Sequence, residues 1–127
     1  MTRAERTTVA EESIRRVERY YDLVDRDDIP GLVSLFTADA VYERPGYPPM
    51  RGMGDLEAFY RNDRVIVSGK HFLRDVVAEP GRVAVHGDFE GLLKDGRSVR
   101  VRFADFFELA DDGRFARRDT FFFTPLV

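Results

Sequence analysis

The segment that decides the fold is VRVRFADFFEL, residues 99–109. From Val99 to Leu109 every second residue is large and apolar, except that Asp105 takes one of these places. Such alternation predicts a strand with one face in the core. The strand therefore carries a carboxylate on its inner face, where an unpaired charge is costly. Asp105 is predicted either to pair with an arginine of a neighbouring strand or to belong to a functional site.

Around this segment, the C-terminal half consists of strand candidates separated by turns that contain glycine. The strand candidates are residues 70–78, 82–93, 98–109 and 115–124, and the turns are Pro80-Gly81, Lys94-Asp95-Gly96 and Asp111-Asp112-Gly113. Four consecutive strands joined in this way predict an antiparallel meander.

The N-terminal half is predicted to be mainly helical. Residues 8–25 carry the apolar stripe of an amphipathic helix, and a short helix follows at 29–36. A strand at 40–44 leads into a loop rich in proline and glycine at 45–52, and a third helix begins near Asp55. Three helices followed by a meander predict the α+β class, with the helices on one face of a curved sheet.

Length and composition limit the kind of protein. A chain of 127 residues is expected to form one domain, residues 1–127, with one core and one pocket. No apolar run approaches the ~18 residues of a membrane span, and the N-terminus lacks the apolar region of a signal peptide. The absence of cysteine fits a reducing compartment, and a net charge of −3 gives no electrostatic reason to expect nucleic-acid binding. We therefore expect a cytoplasmic protein that binds neither membranes nor nucleic acid.

Several short segments of the chain resemble the ketosteroid isomerases. They are VERY at 17–20, GLVSLF at 31–36, AVYERP at 40–45, Gly52 with FYRN at 59–62, and DFF at 105–107. The wider group is the NTF2-like, SnoaL-like superfamily. The resemblance spans nearly the whole chain and implies a cone-shaped α+β fold, with a pocket between the long helix and the sheet.

The resemblance implies an oxyanion hole formed by Tyr20 and Asp105. In that arrangement an apolar wall raises the pKa of the Asp105 carboxyl until it donates a hydrogen bond to an enolate. The alternative for Tyr20 is an ordinary tyrosine at the edge of the core. Arg44 stands where the isomerases have their basic aspartate, and an arginine stays protonated. Arg44 therefore either binds the substrate, through an anionic group or a carbonyl, or forms a salt bridge with Glu43 or another carboxylate.

Another group must then move the proton. The isomerase register implies that the even-numbered residues His86, Asp88 and Glu90 face the cavity, where they provide acid–base chemistry. Hydrophobicity alone favours the opposite face, with Val85 and Phe89 inward and the polar residues in solvent.

His71 is a further candidate base, on a strand of ambiguous phase; its alternative is a strand-edge histidine bonded to backbone. The limonene-epoxide hydrolases, a related family, use Arg-x-Asp on the strand that here carries His86-x-Asp88, and an aspartate on the last strand. That last position falls near Thr120, with Asp119 out of phase. The water-activating triad is incomplete by this comparison.

The expected function is that of a cofactor-independent acid–base enzyme, an isomerase, cyclase or dehydratase of the SnoaL-like kind in secondary metabolism. Its substrate would be an enolisable, largely apolar molecule, polyketide- or terpenoid-like. The alternatives are an epoxide hydrolase or epoxide-opening cyclase, and a non-catalytic binding or dimerisation module. A homodimer is expected, with no cofactor and no metal, since the two histidines lack metal-ligand spacing. Predicted catalytic residues are Tyr20, Asp105, Asp88, His86 and His71, and predicted substrate-binding residues are Arg44, Tyr42, Glu43, Tyr47, Phe59, Tyr60, Glu90, Phe103, Thr120 and Phe122.

Overall fold

Three helices and six strands make up the computed structural model, which describes residues 1–124. The helices are α1 (Arg3–Asp25), α2 (Ile29–Val33) and α3 (Gly52–Ala58), and α3 continues into a π-helical turn at Phe59–Asp63. The strands are β1 (Phe36–Glu43), β2 (Met50–Arg51), β3 (Ile66–Glu79), β4 (Arg82–Leu93), β5 (Ser98–Leu109) and β6 (Phe115–Phe122). No helix in the described range is long and apolar enough to cross a membrane.

A side-chain cap determines where helix α1 begins. The side chain of Thr2 accepts a hydrogen bond from the backbone N–H of Glu5 and caps the first turn. Further along, Val17, Tyr20 and Tyr21 belong to the buried stripe that packs on the sheet, chiefly on β3. The helix therefore begins earlier than its predicted start at residue 8, because the cap lies outside the apolar stripe. It ends at Asp25, as predicted.

The sheet has the order β2-β1-β6-β5-β4-β3. The meander β3 to β6 is antiparallel as predicted, and β4 and β5 have the predicted bounds. Strand β1 instead runs parallel to β6, so the sheet is mixed. The sheet is curved and does not close into a barrel, and register shifts in β3 mark bulges, which bend a strand. The predicted α+β class, with helices against a curved sheet, is confirmed.

Strand register determines which residues face the core. Asp105 lies between Val85 of β4 and Thr120 of β6 on the inner face, and its side chain is 0% exposed. His71 of β3 pairs with Phe89 of β4, also on the inner face. The in-phase position of Asp105 among apolar residues, predicted from the alternation in β5, is therefore correct.

The isomerase register, which implies that His86, Asp88 and Glu90 of β4 face the cavity, is wrong. Val83, Val85 and Phe89 are buried on the inner side, as hydrophobicity favoured. The side chains of His86 and Asp88 therefore lie on the opposite face of the sheet, in rows with Ala104 and Arg102 of β5. The apolar alternation within the strand outweighs the register taken from the isomerases.

Candidate active site

A cavity of about 210 Å³ lies on the concave, helix-facing side of the sheet. Most of its wall is apolar, and its polar groups come from strands β3 and β6 and from Arg44, the residue after β1. Because the sheet is curved, Arg44, which follows β1, and His71 of the edge strand β3 line the same cavity. The lining residues are Arg44, Val65, Ile66, His71, Phe89, Leu93, Val99, Val101, Phe103, Arg118, Thr120 and Phe122.

Asp105 is held beneath this cavity by an ion pair. Arg118 Nη2 donates a hydrogen bond of 2.8 Å to Asp105 Oδ2, and Tyr21 donates to the same oxygen. The hydroxyl of Thr120 donates to Oδ1. Asp105 accepts in each of these contacts and its charge is matched by a buried guanidinium, so it acts as a structural carboxylate. The first of the two alternatives for Asp105, pairing with an arginine of a neighbouring strand, is what the structure shows.

Tyr20 contacts the terminal nitrogen of Arg118 that does not bond Asp105. Its hydroxyl accepts a hydrogen bond from Arg118 Nη1 and bonds the hydroxyl of Tyr60. Neither Tyr20 nor Asp105 lines the cavity, and they form no hydrogen bond with each other. The structure therefore does not place the predicted oxyanion hole at the cavity. Asp105 is bonded to Tyr21, the next residue of the helix, which the resemblance did not select.

Burial sets the protonation of these tyrosines. It raises the pKa of Tyr20 well above its ordinary value, although the nearby Arg118 charge opposes this rise. Burial likewise raises the pKa of Tyr21 well above the ordinary value, and the Asp105 charge adds to that effect. Burial raises the pKa of Tyr60 in the same direction. All three hydroxyls therefore stay protonated at neutral pH.

Burial on its own would lower the pKa of the Arg118 guanidinium. The charge of Asp105, together with the hydroxyls of Tyr20, Tyr42 and Tyr60, outweighs this effect, so that this pKa is raised well above its ordinary value. The rings of Tyr20 and Tyr42 lie 4.8 and 4.6 Å from the guanidinium carbon and stabilise the cation further. Arg118 is therefore a permanent charge in the cavity floor.

A directed chain of hydrogen bonds links Arg44 to Asp105. Because the Thr120 proton goes to Asp105, the Thr120 oxygen accepts from the Tyr42 hydroxyl, 3.0 Å away. The Tyr42 oxygen in turn accepts from Arg44 Nη1 at 3.2 Å. Glu43, the partner considered for Arg44, instead bonds Arg117. The salt bridge to Glu43, one of the alternatives for Arg44, does not form, because adjacent residues of an extended chain point to opposite faces.

His71 and Asp25 form the acid–base pair of the cavity. His71 Nδ1 lies 2.6 Å from Asp25 Oδ1, and the His71 backbone N–H donates to Asp25 Oδ2 at 3.0 Å. A carboxylate only accepts, so Nδ1 carries the imidazole proton and Nε2 is left as the basic nitrogen. Within residues 1–124 no hydrogen bond is made to Nε2. Asp25 thus holds the tautomer and orientation that a general base needs.

The surroundings of His71 favour its neutral form. The rings of Tyr21, Phe89 and Phe103 lie 4.9, 4.8 and 5.4 Å from the imidazole, centroid to centroid. Burial lowers the pKa of His71 below its ordinary value of about 6.5, against the opposing effect of Asp25. The imidazole is therefore a free base at neutral pH.

The three polar residues of β4 do not reach the cavity. Asp88 accepts a hydrogen bond of 2.6 Å from Arg74 Nε, and Glu90 is exposed, with Arg100 3.4 Å away. His86 lies 3.4 Å from Asp75 on the outer face. The structure does not support the prediction that His86, Asp88 and Glu90 supply acid–base chemistry in the pocket.

The remaining predicted residues divide between the cavity wall and the layer behind it. Arg44, His71, Phe103, Thr120 and Phe122 line the cavity. Tyr42, Tyr47, Phe59 and Tyr60 lie behind or beside Arg44 and Arg118, and Glu43 lies at the surface. The sequence interpretation missed Asp25, Tyr21 and Arg118. The described residues contain no group of three potential metal ligands.

Comparison with known proteins identifies this architecture. A family model described as SnoaL-like domain matches residues 17–118. The epoxide hydrolase/cyclase-like enzyme SalBIII, described in pyran ring formation in the polyether salinomycin, is 18% identical with a TM-score of 0.80, over 90% of this chain and 92% of that one. An NTF2-like protein of unknown function from Burkholderia pseudomallei is 19% identical with a TM-score of 0.80, over 87% and 90%. An LEH-like epoxide hydrolase of M. tuberculosis is 22% identical with a TM-score of 0.77, over 90% and 84%. The likeness to these structures shows a shared NTF2-like fold.

Proposed function

This chain belongs to the SnoaL-like domain family, and from that premise we propose that it is a cofactor-independent acid–base enzyme acting on a small, largely apolar molecule. The observation that carries the proposal is the His71–Asp25 pair in the wall of an apolar cavity. His71 Nε2 removes a proton from carbon next to a carbonyl group and returns it at another atom, which isomerises the substrate or helps a leaving group depart. Arg44 orients the substrate.

The cavity supports the catalytic role over a purely structural one. A structural histidine in a core usually has both ring nitrogens satisfied by protein groups. Here, among residues 1–124, only Nδ1 is bonded, and the residue belongs to the cavity lining. The volume of about 210 Å³ lies below the ~300–1,000 Å³ common for drug-sized ligands, so the substrate is expected to be compact.

The proposal is tested by incorporation of deuterium from D₂O into enolisable ketones. β-Tetralone and 4-phenyl-2-butanone are suitable probes, and proton NMR measures the rate of exchange. The wild type is expected to catalyse exchange next to the carbonyl, and His71→Gln is expected to lose about 10²–10⁴-fold of that rate, the usual contribution of a general base. Asp25→Asn is expected to lose activity as well, because it no longer holds the Nδ1–H tautomer.

The molecule contains its own matched control. His86 and Asp75 form a second histidine–aspartate pair, but on the outer face of the sheet. His86→Gln is expected to keep the full exchange rate. Equal rates for His71→Gln and wild type, or equal losses in both histidine variants, would sink the proposal.

Epoxide opening is the second candidate function. It is favoured by the descriptions of two structural neighbours, one an epoxide hydrolase/cyclase-like enzyme and the other an LEH-like epoxide hydrolase. His71 would then take a proton from water or from a substrate hydroxyl that attacks the epoxide. Turnover of a terpene epoxide that depends on His71, without exchange into the ketones, would support this alternative.

A further inference from the structure

Arg44 is a half-buried cation with no carboxylate partner within residues 1–124. Within residues 1–124 its hydrogen bond runs from Nη1 to the Tyr42 hydroxyl, a neutral acceptor. Its Nε is buried and has no partner in that range. A buried polar group of this kind is uncommon, since most such groups are satisfied by protein or by water. The cavity wall therefore includes a guanidinium whose charge none of the described residues neutralises directly.

Within residues 1–124, two charges around the cavity, those of Arg44 and Asp25, have no directly bonded partner of opposite charge. Arg118 is matched by Asp105, and Asp25 is bonded to the neutral His71. Arg44 makes no ion pair among the described residues, so its charge is not neutralised locally even though the four charges sum to zero. Its link to Asp105 passes through two hydroxyls, those of Tyr42 and Thr120, and Asp105 already forms an ion pair with Arg118. A charge held partly out of water without a counter-ion is costly, so binding of an anion there is favoured.

The surroundings of Arg44 also determine what kind of anion fits. Rings of Phe122, Phe59 and Tyr47 lie 5.1, 5.4 and 5.9 Å from its guanidinium carbon. These rings keep the cation in place without taking up its N–H donors. Next to them the cavity is apolar. An arginine with free donors suits a planar carboxylate, which it binds through parallel hydrogen bonds.

We propose that the substrate is itself a carboxylic acid, an apolar body whose carboxylate is bound by Arg44 while its reactive carbon faces His71. This inference rests on the proposed function, since both concern the same cavity, and it adds the chemical class of the substrate. Arg44 is thus the residue that sets substrate specificity. This role also explains why Arg44 stands where the isomerases have their basic aspartate. The base of this cavity is His71, on β3.

The test compares acids with uncharged amides of the same shape. Binding of cinnamate and of cinnamamide is measured by calorimetry at pH 7.5. The wild type is expected to bind cinnamate about tenfold or more tightly than cinnamamide, as for a charge-assisted hydrogen bond. Arg44→Gln is expected to abolish this preference, whereas Arg44→Lys keeps part of it. Arg100→Gln, at an exposed position, is the matched control and keeps it all.

A second measurement needs no variant. The pKa of ¹³C-carboxyl cinnamate, followed by NMR, is expected to fall on binding because Arg44 stabilises the anion. Equal affinities for the acid and the amide, a preference that survives Arg44→Gln, or an unchanged pKa on binding would overturn the inference. His71→Gln separates the two proposals: it removes proton exchange but leaves the preference for the acid.

Discussion

Asp105 and Arg118 form the buried ion pair on which the site rests. Asp105 is 0% and Arg118 4% exposed, and neither has a second counter-ion among the described residues. Removing one partner of a buried pair leaves the other charge uncompensated. We predict that Asp105→Asn lowers the free energy of unfolding by about 3–5 kcal/mol, measured by chemical denaturation. Retention of full stability would indicate a neutral Asp105, as the oxyanion-hole hypothesis requires.

A double variant tests whether the uncompensated charge causes the loss of stability in Asp105→Asn. Replacing Asp105 by Leu and Arg118 by Met removes both charges and keeps apolar volume, a change that is often neutral or stabilising for buried pairs. We expect the double variant to be more stable than Asp105→Asn alone. A double variant less stable than Asp105→Asn would mean that the hydroxyl contacts of Tyr21 and Thr120 matter more than the charge.

His71 makes stability depend on pH in a defined direction. Its pKa in the folded protein is lower than its ordinary value of about 6.5, mainly because of burial. Between these two values the unfolded chain binds more protons than the folded one, so the free energy of unfolding falls as the pH falls. We predict that acidification from pH 7.5 to 5 destabilises the wild type more than His71→Gln, in urea titrations. Equal losses would show that the pKa of His71 is not lowered.

The residues of the site were only partly predictable from sequence. The inward position of Asp105 follows from alternation in β5 alone. Arg118 was missed although it has the same phase as Thr120, two residues further along β6, which the sequence analysis placed at the site. Alternation from the buried Phe115 gives the opposite phase, because the pairing of β5 with β6 shifts between Leu109 and Glu108. The partner of His71 lies 46 positions away at the end of a helix, and no local pattern marks it.

At the scale of elements, two glycines shape the cavity wall. Gly69 of β3 and Gly91 of β4 are paired, and a Cβ at these positions would lie 2.2 and 2.5 Å from atoms of the Phe89 ring. The ring can cover these glycines only because they have no side chain. This packing sets the position of Phe89 next to His71.

We predict that Gly69→Ala destabilises the protein by about 1–3 kcal/mol, the usual result of overpacking. The variant is also expected to weaken ligand binding, because Phe89 lines the cavity. Gly54→Ala in α3 is the control, since a Cβ there meets nothing within 4 Å. It is expected to be neutral or slightly stabilising. Similar effects of the two substitutions on thermal stability would argue against the packing explanation.

The elements themselves were well predicted where local chemistry defines them. The hairpin glycines Gly81 and Gly96 have φ values of 82° and 87°, which other residues rarely adopt, and they delimit β4 as the sequence suggested. Strand β1 was predicted too short, as 40–44 rather than Phe36–Glu43. Its pairing with β6 is parallel and non-local, and such pairing leaves no turn sequence to find.

At the scale of the whole molecule, the convex face of the sheet exposes apolar side chains. Phe106, Phe121 and Phe123 are 50%, 55% and 71% exposed, and the rings of Phe106 and Phe121 are in contact with centroids 5.8 Å apart. A contiguous patch of this kind marks an interaction surface. We propose that a second copy of this chain covers it, since most soluble oligomers are two-fold homodimers.

The dimer is tested by sedimentation velocity. The wild type is expected to sediment as a dimer and Phe121→Lys as a monomer, because a charge in the centre of an apolar contact is not compensated. Thr8→Lys, at an exposed position on α1, adds the same charge elsewhere and is expected to stay dimeric. A wild type that remains monomeric at high concentration would exclude this interface.

The central claim concerns the protonation of His71, and ¹⁵N NMR of the imidazole measures it directly. The geometry predicts a neutral ring at pH 7 with the proton on Nδ1, bonded to Asp25, and a pKa below the ordinary histidine value. Asp25→Asn should disturb this tautomer, while Asp75→Asn should not. A ring that is charged at pH 7, or that carries its single proton on Nε2, would contradict the assignment of His71 as the base.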